Sequence, residues 1–224
     1  MLSPRSLTAC ESPPCLGYAH CALTALPPPL VLGSSSKYRA ELLGRLGVPF
    51  LQASPDVDEE AFDGAFSELP ADDFALLLAR AKVDALLGKG GDRWLLCADQ
   101  VGVLEAEGER ILLRKPGTPE ACVEQLLRLS GRTHSLVNGI VLRSERDGTE
   151  LVEVDVQKLT MRAFDSAEAE AYVALRSPLD CAGGYRIEDE GIRLFERIDS
   201  SDYTGIIGLP LIATARLLRR AGFL

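Results

Sequence analysis

The sequence predicts an α/β fold, with a mixed central sheet flanked by helices, and three observations carry that prediction. Short apolar runs alternate with helical patterns through the first half of the chain: Leu30–Leu32, a helix Lys37–Leu46, Phe50–Ala53, a helix Asp72–Leu87, then Trp94–Ala98. Two longer strand-like runs, Thr133–Arg143 and Leu151–Met161, flank Asp147-Gly148, a hairpin turn signal. The apolar run Trp94–Ala98 ends on an acid, Asp99, and open α/β sheets place their chemistry at the carboxyl ends of buried strands.

Residues 1–28 stand apart. They hold five prolines and three cysteines without clean periodicity, and are expected to be a poorly ordered N-terminal extension. The organised part, residues 29–224, is expected to be a single domain. Leu30–Leu32 runs into Gly33-Ser34-Ser35-Ser36 and then the helix Lys37–Leu46, closed by Gly47. Arg39 falls on that helix's apolar side with Leu42, Leu43 and Leu46. It is a cation in the first turn, where the helix dipole disfavours positive charge. A bound anion removes the objection, and serine hydroxyls with free N–H groups at a helix start form an anion cradle. A capped helix whose arginine snorkels to water is the plainer alternative. After Phe50–Ala53 come four acids within Asp56–Glu60, either a solvated loop or a source of oxygen ligands for a divalent cation.

In the helix Asp72–Leu87 the stripe is Phe74, Leu77, Leu78, Ala81 and Ala85, with Lys82 at its edge, where a lysine ordinarily snorkels. Glycines 88, 90 and 91 end it. Beyond Asp99 and Gln100 a hairpin, Val101–Leu104 with Ile111–Leu113, returns the chain to Lys115 and Pro116. Thr118 caps the next helix, Pro119–Leu129. Further helices are read at Ser166–Leu175, capped by Ser166, and Leu211–Arg220, with a strand at Gly191–Ile198 between them. His134 has no visible nucleophile partner and reads as structural.

The bulk composition narrows the function classes. A net charge of −9 argues against a protein that coats nucleic acid polymers, though a local cluster of cations still suits a small anion. No apolar run reaches the length of a membrane span. Six cysteines show no metal-binding spacing and are read as reduced thiols of a cytoplasmic protein.

Taken in order, the short words L-G-S-S-S-K-Y-R-A-E-L-L (32–43), V-D-E (57–59), L-A-R-A-K (78–82), A-D-Q-V (98–101), R-K-P (114–116), L-S-G-R-T-H (129–134), D-C-A-G-G-Y (180–185) and G-L-P-L (208–211) resemble the Maf family of nucleoside triphosphate pyrophosphatases. Tyr38, Gln100 and Glu188 resemble its 7-methyl-GTP branch rather than the branch acting on dTTP and UTP. The resemblance implies an elongated, two-lobed sheet around a central cleft, often in a homodimer. The implied reaction is hydrolysis between the α- and β-phosphates, a house-cleaning of modified nucleotides.

It implies Asp99, Lys115, Lys82 and Glu59 as catalytic residues. Ser34, Ser36, Tyr38, Arg39, Gln100 and Glu188 would bind substrate, and Glu59 and Asp99 would hold Mg or Mn. The resemblance casts Asp99 as general base, yet a metal-bound carboxylate is a weaker base, so its two roles compete. An aromatic face and a carboxylate both suit the cationic ring of an N7-methylated guanine. Two other readings accompany this one: the same hydrolysis on dTTP, UTP or CTP, and a nucleotide-sensing regulator of septum formation with little turnover.

Overall fold

The computed structural model describes residues 28–89 and 91–224, so residues 1–27 of the expected N-terminal extension, and Gly90, lie outside the described residues. Its framework is a seven-stranded mixed sheet. The strands and helices run β1 (Leu30–Gly33), α1 (Lys37–Gly44), β2 (Phe50–Ala53), α2 (Asp63–Phe66), α3 (Ala71–Asp84), β3 (Trp94–Ala106), β4 (Glu109–Leu113), α4 (Pro119–Leu129), β5 (Thr133–Ser144), β6 (Glu150–Met161), α5 (Ser166–Arg176), β7 (Phe195–Asp199), α6 (Thr204–Ile207) and α7 (Leu211–Arg220). The strand order is β2-β1-β3-β5-β6-β7, with β4 on the β1 side of β3. The β1 pairings are parallel and the rest antiparallel.

β3 is the longest strand, and this corrects the expected break after Ala98. Asp99 lies in mid-strand rather than at a strand end, because β5 pairs β3 continuously from Trp94 to Leu104. On its other edge β3 has two successive partners. β1 accompanies it only as far as Leu96, and β4 joins only at Gly102. Residues 97–101 therefore face a notch on that edge.

Side-chain alternation divides what lies over the notch. On one face, α1 and α7 cover a core that includes Leu30, Leu96, Ile140 and Leu217. Further along, α4 and α5 cover a second, with Leu104, Leu126, Leu136 and Leu159. Gln100 and Asn138 sit between the two, beneath α6. This is the two-lobed arrangement around a cleft. On the opposite face α3 spans the middle of the sheet, packing on Cys97, Val101, Val103 and Val141. Gly139 sets how close it lies: a Cβ there would stand 2.5 Å from the Ala75 carbonyl carbon. The face that α3 buries also differs from the expected stripe. Ala75, Ala79, Lys82 and Val83 are buried beside Phe74 and Leu78, while Leu77, Ala81 and Ala85 are only partly covered.

Three smaller corrections concern the second half. α5 is capped by Asp165, whose carboxylate accepts from the Glu168 N–H, not by Ser166. The expected strand at Gly191–Ile198 begins as a 3₁₀ turn, Glu190–Leu194, and pairs with β6 only from Phe195. The short helix α6 has no apolar period to announce it. The final helix falls at Leu211–Arg220, as expected.

His134 is structural in its surroundings as well. It is buried, its Nε2 lies 2.7 Å from the Tyr185 hydroxyl, and its ring packs against Tyr185 and Phe195. Burial pushes its pKa down to about 4. A group whose folded pKa is depressed adds stability that is present above its ordinary value near 6.5 and is lost as pH falls toward 4. The difference corresponds to about 3 kcal/mol. His134→Gln, which keeps a polar partner for Tyr185 and does not titrate, should flatten the pH dependence of urea-unfolding stability between pH 6.5 and 4. An unchanged slope would show that His134 does not govern acid sensitivity.

Candidate active site

The notch beside β3 opens into a cavity of about 470 Å³, well within the usual size of small-ligand sites. All ten residues singled out in the sequence line it: Ser34, Ser36, Tyr38, Arg39, Glu59, Lys82, Asp99, Gln100, Lys115 and Glu188. Five cationic side chains and four carboxylates face the cavity, so its local balance is slightly positive in a chain of net charge −9.

Its first wall is the turn from β1 into α1. The Ser34 hydroxyl accepts from the Ser36 N–H (3.2 Å) and the Ser36 hydroxyl caps α1 by accepting from the Arg39 N–H (3.4 Å). With both oxygens accepting internally, both hydroxyl hydrogens remain to donate outward. The N–H groups of Lys37 and Tyr38 have no partner inside the helix. Arg39 does not snorkel away. Its Nε donates to the Gly208 carbonyl at 2.8 Å, and its terminal nitrogens meet no described acceptor. The Tyr38 ring already carries a cation, with Lys37 Nζ 5.0 Å from its centroid.

The second wall is a buried charge cluster. Lys82, expected at the edge of α3, is 7% exposed. Its ammonium is ion-paired to Asp99, 4% exposed, and lies 2.7 Å from Glu59 Oε1. Burial pushes the Glu59 carboxyl up, but Lys82 beside it, with Lys115 and Arg39 further off, pulls it net below the ordinary carboxylate range. Cys97, one alternation before Asp99, is a core thiol whose pKa burial raises to about 12. The α2 segment that follows the Glu59 loop is held from β4 and the residue just after it. Arg110 stacks 4.5 Å over the Phe66 ring and donates to the Phe66 and Leu69 carbonyls, and Arg114 pairs with Asp63.

Lys115 follows β4, exposed on the rim, and the Gly117 N–H ties its loop to the Leu179 carbonyl at 3.0 Å. From there the segment Asp180–Glu188 forms the far wall. Arg186 pairs with Asp180 and its backbone N–H donates to the buried Tyr172 hydroxyl (3.0 Å), while Glu188 stays exposed. Arg186 was given no role in the sequence, because its partner Asp180 and the turn between them are legible only once folded. The same holds for Ile206–Gly208, which reach the cavity from α6.

Asp99 and Gln100 are consecutive in β3 and therefore point to opposite faces. Asp99 meets Lys82 of α3, and Gln100 donates to the Gly205 carbonyl (2.7 Å) at α6. Both line one cavity because no strand closes the notch between them. As a cation site, the donor set is two carboxylates that already converge on one ammonium. No cluster of three His, Cys, Asp or Glu residues occurs among the described residues. Two carboxylates completed by phosphate oxygens are the pattern magnesium ordinarily accepts, so the residues present fit such an ion.

Fold and cavity together define an α/β protein with a small-molecule cleft of mixed charge, cationic at its rim and doubly carboxylate at its floor. A sequence profile described as Maf-like protein matches residues 29–221, and the chain belongs to that family. It is 41% identical to the 7-methyl-GTP pyrophosphatase of Pseudomonas putida, over 87% of this chain and 97% of that one. The protein of that name from Cupriavidus metallidurans is also 41% identical, over 88% of this chain and 94% of its own length. The one from Bdellovibrio bacteriovorus is 38% identical, over 86% and 96%.

Removing the ammonium leaves the buried Asp99 carboxylate and the half-buried Glu59 carboxylate facing each other, a cost of about 3 kcal/mol. Lys82→Met should lose stability by this order at pH 8, measured by urea unfolding. The deficit relative to the unmodified protein should shrink toward pH 5 as a carboxylate takes up a proton. A deficit independent of pH would reduce Lys82 to a packing role.

Proposed function

We propose that this chain hydrolyses a nucleoside triphosphate between its α- and β-phosphates, releasing the monophosphate and pyrophosphate, with 7-methyl-GTP as its preferred substrate. The observation that carries the chemistry is the Lys82 ammonium held between Asp99 and Glu59 at the floor of a cavity whose rim bears Arg39 and Lys115. The substrate follows from family membership and from relatives of that name that match nearly their whole length.

A triphosphate brings three or four negative charges, so positioning and fixed cations matter more than covalent chemistry. Arg39, Lys115 and the hydroxyls of Ser34 and Ser36 bind and orient the phosphates. Asp99 takes a proton from water as its oxygen attacks phosphorus, the bridging P–O bond breaks, and pyrophosphate departs with that electron pair. Lys82 holds the Asp99 carboxylate in place by an ion pair, and its third N–H is available to a phosphate oxygen. Glu59 and Asp99 are the residues that would hold a magnesium or manganese ion. Such an ion supplies charge neutralisation at the phosphates. Tyr38 and Glu188, an aromatic face and a carboxylate, favour the cationic ring of an N7-methylated guanine.

Pyrophosphate release with magnesium or manganese, from 7-methyl-GTP, GTP, dTTP, UTP and CTP, tests the reading. The expected result is a strong preference for 7-methyl-GTP, with Asp99→Asn slowing turnover by about a hundredfold or more in a folded protein. A pyrimidine preference would remove the substrate assignment. A near-native rate in Asp99→Asn would remove the assigned base, and no release from any of the five would remove the activity.

A further inference from the structure

Asn138 lies fully buried at the centre of β5, and strand register sets it opposite Gln100 on β3 and Asp155 on β6. Directly opposed residues share a face, so the three form a polar row across the sheet, where one apolar core ends and the next begins. A buried amide at such a place is costly unless its groups are used. Those of Asn138 are: Nδ2 donates to the Gly205 carbonyl at 3.0 Å, and Oδ1 lies 3.3 Å from Gln100 Nε2. Gln100 Nε2 also meets the Gly205 carbonyl at 2.7 Å and the Ile206 carbonyl at 3.2 Å. Three acceptors around one NH₂ group leave the Gln100 amide a single orientation. Its nitrogen points into α6, and its Oε1, which has no described donor, is left for the cavity that Gln100 lines.

We propose that Asn138, which does not line the cavity, is a positioning residue for base selection. It fixes the α6 turn and the Gln100 amide so that Oε1 is presented as an acceptor to the donor edge of a purine. This rests on the substrate reading above. Guanine carries a ring N–H and an amino group side by side, and N7 methylation makes the ring cationic and that N–H a stronger donor. Thymine and uracil also carry a ring N–H, but they have a carbonyl where guanine has its amino group, so an Oε1 aligned with both guanine donors would meet an acceptor in place of the amino donor. A site built to accept from a donor discriminates strongly against ligands that lack it.

The test pairs a direct readout of the amide with kinetics, on the full chain, for Asn138→Ala and for Asn138→Thr, a β-branched strand former of similar size that keeps the sheet filled. In the ¹⁵N-labelled protein the Gln100 side-chain amide, identified by its loss in Gln100→Ala, should exchange slowly with solvent. In either variant it should shift and exchange about tenfold faster or more. The ratio of kcat/KM for 7-methyl-GTP over that for dTTP should fall about tenfold, mainly through KM for 7-methyl-GTP. A merely structural asparagine would slow both substrates together and leave the ratio intact. An unaltered Gln100 amide, or an unchanged ratio in a folded variant, overturns the proposal. If the unsubstituted enzyme shows no preference for 7-methyl-GTP, the substrate reading fails by itself. The amide signal then still decides whether Asn138 positions Gln100.

Discussion

The Lys82 ammonium between Asp99 and Glu59 is the interaction on which the arrangement of the cleft depends. Three distant parts of the chain must agree for it to form. α3 must lie close enough on the sheet for a lysine to reach β3, which the missing side chain of Gly139 permits. β3 must continue through Asp99 as a strand, so that the carboxylate is aimed squarely at that helix. The α2 segment that follows the Glu59 loop must be held, and Arg110 on β4 and Arg114 just after it do this through stacking, two backbone carbonyls and an ion pair. A buried cation with two acids is expensive to desolvate and earns its place only when each charge is answered.

Because one ammonium serves two carboxylates, the floor of the cavity is negative on balance and its rim positive. On the proposed function, Arg39, Lys115 and the α1 N-terminus are the groups that attract a polyanion, and Asp99 at the floor is the base. Arg39 and Lys115 stand at the rim, while Lys82 is buried against the two carboxylates of the floor. The local positive balance coexists with a strongly acidic chain, so whole-chain charge says nothing of the ligand this cavity suits.

Much of the fold could be read from local chemistry. Pro119 and Thr118 start a helix where their types demand it, Asp147-Gly148 turns a hairpin, and Leu211–Arg220 follows Pro210 as a helix. All ten candidate site residues line one cavity, yet the words that flagged them say nothing of how they meet. Lys82 looked like an edge lysine because a stripe counted from sequence takes the sheet to be flat and the helix to stand off. Gly139 on β5, far along the chain, is what allows α3 to lie that close to the sheet. The continuity of β3 was hidden because polar Asp99 and Gln100 interrupt an apolar run, and only pairing with β5 overrides that break. α6 and Asn138 were missed for a common reason: their roles lie in backbone carbonyls and a neighbouring amide, which leave no pattern in composition.

The notch between β1 and β4 has a consequence for how such a protein diversifies. It lets a single ligand touch both sides of one sheet, with Asp99 and Lys82 on the α3 side and Gln100 and Gly205 on the α6 side. On the proposed function, the hydrolytic residues Asp99 and Lys82 lie on the α3 side and the proposed base contact Gln100 on the α6 side, joined through adjacent residues of one strand. If that proposal holds, substitutions in the α6 layer retune which base is accepted while the helix that holds the lysine stays as it is. A lineage built on this plan acquires new substrates without reinventing its reaction.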